Sequence, residues 1–571
     1  MSNSNPVLIL GAGINGAALA RELALNGVPV VIVDAADVCF GATAYSSRLI
    51  HGGLRYLEYG DFALVRESLA ERARLLRLAP QFVHPLHIHI PVAHRWGGWL
   101  TSARRFLGLG SGQTSERGLE LVETGLWLYD RFARDPSLPR RSVRRVGRDA
   151  GPQVDPARYR WLCGYWDAQI RFPERYVQAL LADARNLAHE AGLIFRLVNY
   201  HHVRQHANRV ELVPVADAGE TVDSFEVAAI VNATGAWVDL TLKELGIASD
   251  KLMGGTKGSH FITFHDGQRQ ALGDQALYAE AEDGRPIFIL PFGDSVLVGT
   301  TDIPFSGRPE EAVASDAELD YLVAAVNEIM PQVRLARSDL ELHYCGVRPL
   351  PASDAATPAS VSRRHKIVDH RQHPVAWASS PCLVPTFSLV GGKLTTSRQL
   401  AEEAAAAILA SLDRKAARNS QSRFVPGGMD YPGSPAELAT AHEQLAKEFH
   451  LNTEQVAAAW TLFGTRLRHV LIDAGRDASR QHAAGKNIAG THLPTAIAAW
   501  IIKHEFPRTL DDLVERRLML LYHRPLTMTC LRELAGLMAA AGAFALDQIP
   551  GQVTDTVQRF QTHFGKSVVD E

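Results

Sequence analysis

The residue types most able to do chemistry fall in short glycine-containing segments. In SSRLIHGGLRYLE, residues 46–58, two serines, a histidine, two arginines and a tyrosine surround Gly52 and Gly53. Taken alone, such a segment reads as a surface loop. Its cations nevertheless suit an anion, and its histidine can take a proton near neutral pH. Further on, GVRPL brings Arg348, SRRH brings Arg363 and Arg364, and GGKLTT brings Lys393 and Thr395. With 59 Lys and Arg against 62 Asp and Glu, net charge is -3, so no global field gathers nucleic acid. Any anion site must be local.

These side chains need a frame, and the N-terminal residues supply one. The apolar run VLIL, the stretch GAGINGAALARELALNG and then VPVVIVD read as strand, glycine turn, helix and strand, with Gly27 ending the helix. Gly11, Gly13 and Gly16 form GxGxxG at the turn. The first permits the bend, the second lets backbone approach a pyrophosphate, and the third lets helix pack on strand. The helix N-terminus adds unpaired N–H groups and partial positive charge. Asp34, ending the next strand, is placed to accept from an adenosine ribose, and an acid there argues against a 2′-phosphate. NAD and FAD both fit so far. NATGAWV (232–238) and VGGKLTT (390–396) add two more glycine turns, the second at a helix start suited to the electron-rich edge of a reduced isoalloxazine. Both favour FAD.

A chain of 571 residues needs two or three domains. Residues 257–302 alternate apolar and polar, which predicts a large antiparallel sheet. The polar stretch 419–434 marks a boundary before a charged, helix-rich end. The predicted division is a discontinuous cofactor domain (1–75, 165–252, 344–418), a substrate domain (76–164, 253–343) and a helical C-terminal domain (435–571). The five cysteines are scattered, which fits a reducing compartment. No signal peptide is expected, and the most apolar stretch, residues 534–546, is too short to span a bilayer and reads as a buried helix.

In order and spacing, GAGINGAALA, SSRLIHGGLRYLE, NATGAWV, TKGSH, LPFGDSVLVGTTD, GVRPL, SRRH, GGKLTT and TLDDLVERR resemble the FAD-dependent, aerobic glycerol-3-phosphate dehydrogenase family and its oxidase relatives. The resemblance implies an α/β fold: a Rossmann-like FAD domain of glutathione-reductase type, an antiparallel substrate domain and an α-helical C-terminal cap. It implies oxidation of sn-glycerol 3-phosphate at C2, with electrons passing to a quinone. It places Arg55, Tyr56, His260, Arg348, Arg363, Lys393 and Thr395 around the substrate. Gly11, Gly13, Asn15, Gly16, Asp34, Thr43, Ser46, Ser47, Leu49, Gly235, Gly391, Lys393 and Leu394 would line the flavin nucleotide.

Guanidinium forks suit a phosphate dianion. Arginine cannot act as a base, which leaves His51, His260 or Lys393 to take the hydroxyl proton; His51 is preferred, with Arg348 and Lys393 as its catalytic partners. Three positions depart from the family pattern. Arg48 stands where lysine is common, Arg364 where an acid is common, and RFPERYV (171–177) replaces an acidic stretch; substrate identity is what these put in question. HRWGGWLTSARRFLGLGSG (94–112) mixes tryptophans and arginines, as a membrane-surface segment does, pointing to a cytoplasmic protein at the inner face of the cell membrane; a homodimer is an open expectation. The rival readings are an oxygen-using oxidase of glycerol 3-phosphate or of another small hydroxy or amino acid, and a non-catalytic flavin-binding protein.

Overall fold

A computed structural model describes residues 5–57, 60–97, 118–216, 221–352, 364–372, 384–476 and 485–570. The continuous apolar runs at the N-terminus become the middle of a six-stranded sheet. Its order is Lys366–Asp369, Thr386–Val390, Ala229–Asn232, Val7–Leu10, Val30–Asp34 and Phe195–Asn199, and only the first strand is antiparallel. Val7–Leu10 is buried throughout, as parallel strands covered on both faces require. The helices Ile14–Leu25, Pro173–Glu190 and Ser397–Ser411 join its core. The mixed α/β architecture agrees with the sequence expectation.

The alternating residues form part of a second, ten-stranded sheet. Met253–Thr263 runs antiparallel to both Leu340–Pro351 and Ser295–Gly299. The sheet continues through Val83–Val92 and Trp161–Ile170 to the short strand Leu49–Ile50. That last pairing draws the SSRLIHGG segment directly onto this second sheet. A small antiparallel sheet, His201–His206, Arg209–Pro214 and Asp223–Glu226, is not paired with either but packs Val203, Val210 and Leu212 on Leu8, Val31 and Ile230 of the first.

Residues 435–564 form a helical unit: Pro435–Phe449, Thr453–Phe463, Leu467–Gly475, Thr495–Glu505, Met528–Ala540 and Ile549–Phe564, with a wide helical turn at Asp512–Arg517. It is no loose appendage. Trp460, Phe463 and Phe564 share one buried cluster with Leu49 and Tyr344 of the second sheet and with Tyr129 of the helix Leu119–Ala133.

Candidate active site

A cavity of about 610 Å³ runs from the C-terminal ends of Val7–Leu10 and Val30–Asp34 to the ten-stranded sheet. At its nucleotide end the glycines are sterically required. Gly11 has φ of +102°, and a Cβ there would lie 2.7 Å from the Ala233 carbonyl oxygen; a Cβ on Gly16 would lie 1.9 Å from the Gly11 carbonyl oxygen. Gly13, at the start of the helix Ile14–Leu25, has no side chain to cap its first turn. The Ile14 amide donates to Thr43 Oγ1 (3.1 Å). Asp34 accepts from the amides of Ala12 (2.6 Å) and Ala36 (2.9 Å); burial pushes its carboxyl up to about 6 against these two bonds. Asn15 bridges to the Gly391 carbonyl (3.4 Å), and its Oδ1 is buried without a partner.

At the other end side chains dominate. The Gly52 amide donates to Tyr129 Oη (2.9 Å) and Asp167 Oδ1 (3.3 Å), and Arg72 Nη1 donates to the same carboxylate oxygen (2.9 Å). This buried triad fixes the HGG turn from behind, while the His51 amide donates to Thr395 Oγ1 (3.1 Å). Gly53 takes φ of +76°, and the Tyr56 ring covers its Cα. Lys393 Nζ lies 3.9 Å from that ring's centroid, a cation–π contact. Arg348 donates to Thr300 Oγ1 (2.7 Å), the Thr301 carbonyl (2.8 Å) and Asp302 Oδ1 (2.9 Å). It lies flat over Gly258, where a Cβ would come within 2.1 Å of Nη2. His260 Nε2 pairs with Ser47 Oγ (2.8 Å), and its ring stacks on Tyr344 at 4.9 Å. Burial, with Arg348 and Arg48 nearby, pulls the His260 imidazole down to about 3. It is neutral at working pH and poorly suited to act as the base.

The cavity wall therefore unites Gly11, Gly13, Asn15, Asp34, Thr43, Ser46, Ser47, His51, Tyr56, Gly235, His260, Arg348, Gly391, Lys393 and Leu394. Four expected residues stand off it. Gly16 packs helix on strand, Leu49 lies in the sheet, Thr395 holds the His51 amide, and Arg55 sits in the short turn Leu54–Leu57. Arg363 and most of residues 94–112 lie outside the described residues. Tyr45 and Trp237 are on the wall but were not singled out, although both stand inside or beside quoted motifs.

The departures also find places. Arg48 is fully buried and off the wall; it donates to both carboxylate oxygens of Glu174 (2.7 and 3.2 Å) and to Tyr522 Oη. Two of the three departures are thus one ion pair. Arg364 pairs with Asp61 at 2.6 Å, largely exposed.

A protein-family model described as FAD dependent oxidoreductase matches residues 6–368. A glycerol-3-phosphate dehydrogenase of Synechocystis sp. is 34% identical over 537 residues, 90% of this chain and 88% of that protein. The D-erythritol 1-phosphate dehydrogenase of Brucella abortus and the aerobic glycerol-3-phosphate dehydrogenase of Escherichia coli are 29% and 28% identical, each over 90% of this chain and 93% of theirs. The solved structure of a Bacillus halodurans glycerol-3-phosphate dehydrogenase complexed with FAD superposes with a TM-score of 0.69 at 19% identity, covering 98% of this chain and 95% of that one.

Proposed function

Because the chain belongs to the FAD dependent oxidoreductase family, we propose that it oxidises sn-glycerol 3-phosphate at C2 to dihydroxyacetone phosphate and passes the electrons to a quinone. The cofactor is FAD. The glycine cradle, the helix start at Gly13 and the orphaned Asn15 Oδ1 fit its dinucleotide. When bound, FAD supplies the hydride acceptor. The chain's own residues do the rest. Arg348, held by two threonines and Asp302, presents a fixed guanidinium to the phosphate. Lys393 adds a second cation, anchored on Tyr56. His51, on the turn fixed by Tyr129 and Asp167, takes the C2 hydroxyl proton as the C–H bond gives up its electron pair.

The observation that carries this reading is a cation pair, Arg348 and Lys393, sharing one cavity wall with a histidine and a dinucleotide cradle, in a chain 34% identical to a glycerol-3-phosphate dehydrogenase. A longer polyol phosphate is the second reading, favoured by the similarity to the Brucella enzyme. Anaerobic bleaching of the bound flavin by glycerol 3-phosphate, beside erythritol 1-phosphate, glycerol and lactate, separates them. Bleaching by a compound without phosphate, and not by glycerol 3-phosphate, overturns both. His51→Ala should lower turnover more than about a hundredfold with FAD retained; near-normal turnover removes His51 from the role.

A quinone acceptor requires access to lipid. No helix among the described residues is long and apolar enough to cross a membrane. Trp96, before residues 98–117, and Trp127, on the helix Leu119–Ala133 after them, are 68% and 53% exposed and supply aromatic side chains suited to the headgroups. Flotation with anionic vesicles, lost in a Trp96→Ser, Trp127→Ser double variant, tests this.

A further inference from the structure

The loop between Asp34 and Leu49 has no regular backbone pairing of its own, yet it forms a whole side of the cofactor cavity through Ala35, Ala36, Phe40, Gly41, Thr43 and Tyr45. What shapes it comes from the far end of the chain. Asp37, completely buried, accepts from Arg517 Nη1 (2.8 Å) and Nη2 (2.7 Å) and from Arg516 Nε (2.8 Å). Both arginines belong to the wide turn of TLDDLVERR, and both are buried as well.

The same turn reaches the cavity a second time, because Tyr45 Oη donates to Glu515 Oε1 (2.7 Å). Tyr200, which follows the edge strand of the cofactor sheet, donates to Asp512 Oδ1 (2.6 Å), and that oxygen also receives Arg516 Nη2 (2.5 Å). On the loop's inner side the Cys39 amide donates to the Ala12 carbonyl in the dinucleotide turn (3.4 Å). Burial alone would raise the Asp37 carboxyl, but Arg517 and Arg516 hold it well below the usual range. A bidentate guanidinium on a buried carboxylate fixes direction as well as distance. Neither partner can be left buried without the other.

We infer that Arg516 and Arg517 are positioning residues of the cofactor site: acting through Asp37, the C-terminal domain sets the loop that receives FAD, so FAD affinity depends on that domain being docked. The inference rests on the cavity holding FAD and is independent of which alcohol is oxidised. Coupling is reciprocal, so FAD must also tighten the C-terminal turn.

The first test needs no variant. Adding FAD to flavin-stripped native protein should slow backbone hydrogen exchange in residues 505–522; unchanged exchange there while FAD binds overturns the inference. If FAD does not bind the native protein at all, the cofactor assignment fails instead. The second test measures FAD dissociation constants by flavin fluorescence. Asp37→Asn and Arg517→Met should weaken binding about tenfold or more, with Arg517→Lys partly restoring it. Lys566→Met breaks another buried tie of the C-terminal domain, to Glu341 of the substrate sheet, and should leave FAD affinity within about twofold. Equal losses in Lys566→Met and Arg517→Met would reduce the clamp to general stability and overturn it.

Discussion

At the nucleotide end of the cavity, residues 11 to 34 supply the turn, the helix start and the acceptor, and most of what they present is backbone. At the reaction end, His51 and Tyr56 come from one segment and Arg348 and Lys393 from two others, and they are held by partners distant in sequence: Tyr129 and Asp167 behind the HGG turn, Asp302 and Thr300 beside Arg348, and Tyr56 against Lys393. The nucleotide end therefore depends on backbone shape and has no room for an added methyl at Gly11 or Gly16. The reaction end depends in addition on particular charges.

Removing a charge at the reaction end should have the largest effect. Arg348→Met is expected to lower kcat/KM for glycerol 3-phosphate by about a thousandfold while the protein keeps its flavin, since it strips a hydrogen-bonded charge worth roughly 2–5 kcal/mol. Steady-state kinetics and the visible spectrum together decide; a colourless protein would mean that the two ends are not separable. Arg48→Met should destabilise by about 3–5 kcal/mol through the stranded Glu174 carboxylate, seen as a lower urea midpoint, with KM unchanged. A raised KM would instead place Arg48 in the substrate pocket. Gly16→Ala should weaken FAD binding by roughly tenfold to a hundredfold, because the new methyl meets the Gly11 carbonyl and the helix must shift. Fluorescence titration reads this, and native affinity would show that the cradle can relax.

The smallest effect is expected at His260. Its imidazole stays neutral above about 3, so His260→Gln should leave the shape of the kcat/KM profile unchanged between about pH 5 and 8. Unfolded, the same ring binds its proton below about 6.5. His260 therefore makes stability rise with pH from about 3 to 6.5, and His260→Gln should flatten that slope in thermal melts.

The difference between the two ends also explains what the amino-acid sequence alone made legible. GxGxxG with Asp34 is a local pattern of strand, turn and helix, and Gly16 answers the neighbouring Gly11 carbonyl, although the steric demand on Gly11 comes from Ala233 on another strand's end. The alternating residues 257–302 likewise announced their sheet. Trp161–Ile170 did not: as a largely buried strand it lacks alternation, although it carries Asp167 of the triad. Arg55 and Tyr56 were placed together at the substrate, but in the short turn Leu54–Leu57 only Tyr56 reaches the wall. Arg48 and the RFPERYV segment stand in the sequence as two separate departures from the family pattern. Only folding across 126 positions makes them a pair, and a single sequence carries no mark of such a partnership. TLDDLVERR was recognisable as a motif, while its partner Asp37 stood unremarked three residues after Asp34.

The tie between Asp37 and Arg517 spans 480 residues, which gives the molecule an order of assembly in time. A ribosome adding about 5–20 residues per second leaves Asp37 waiting roughly half a minute to a minute and a half for its guanidinium. An unpaired carboxylate does not bury itself, so the loop beside the dinucleotide turn stays in water through most of synthesis. The first strand to be made thus belongs to the last site to be finished, and nascent chains stalled before residue 516 should emerge without bound flavin.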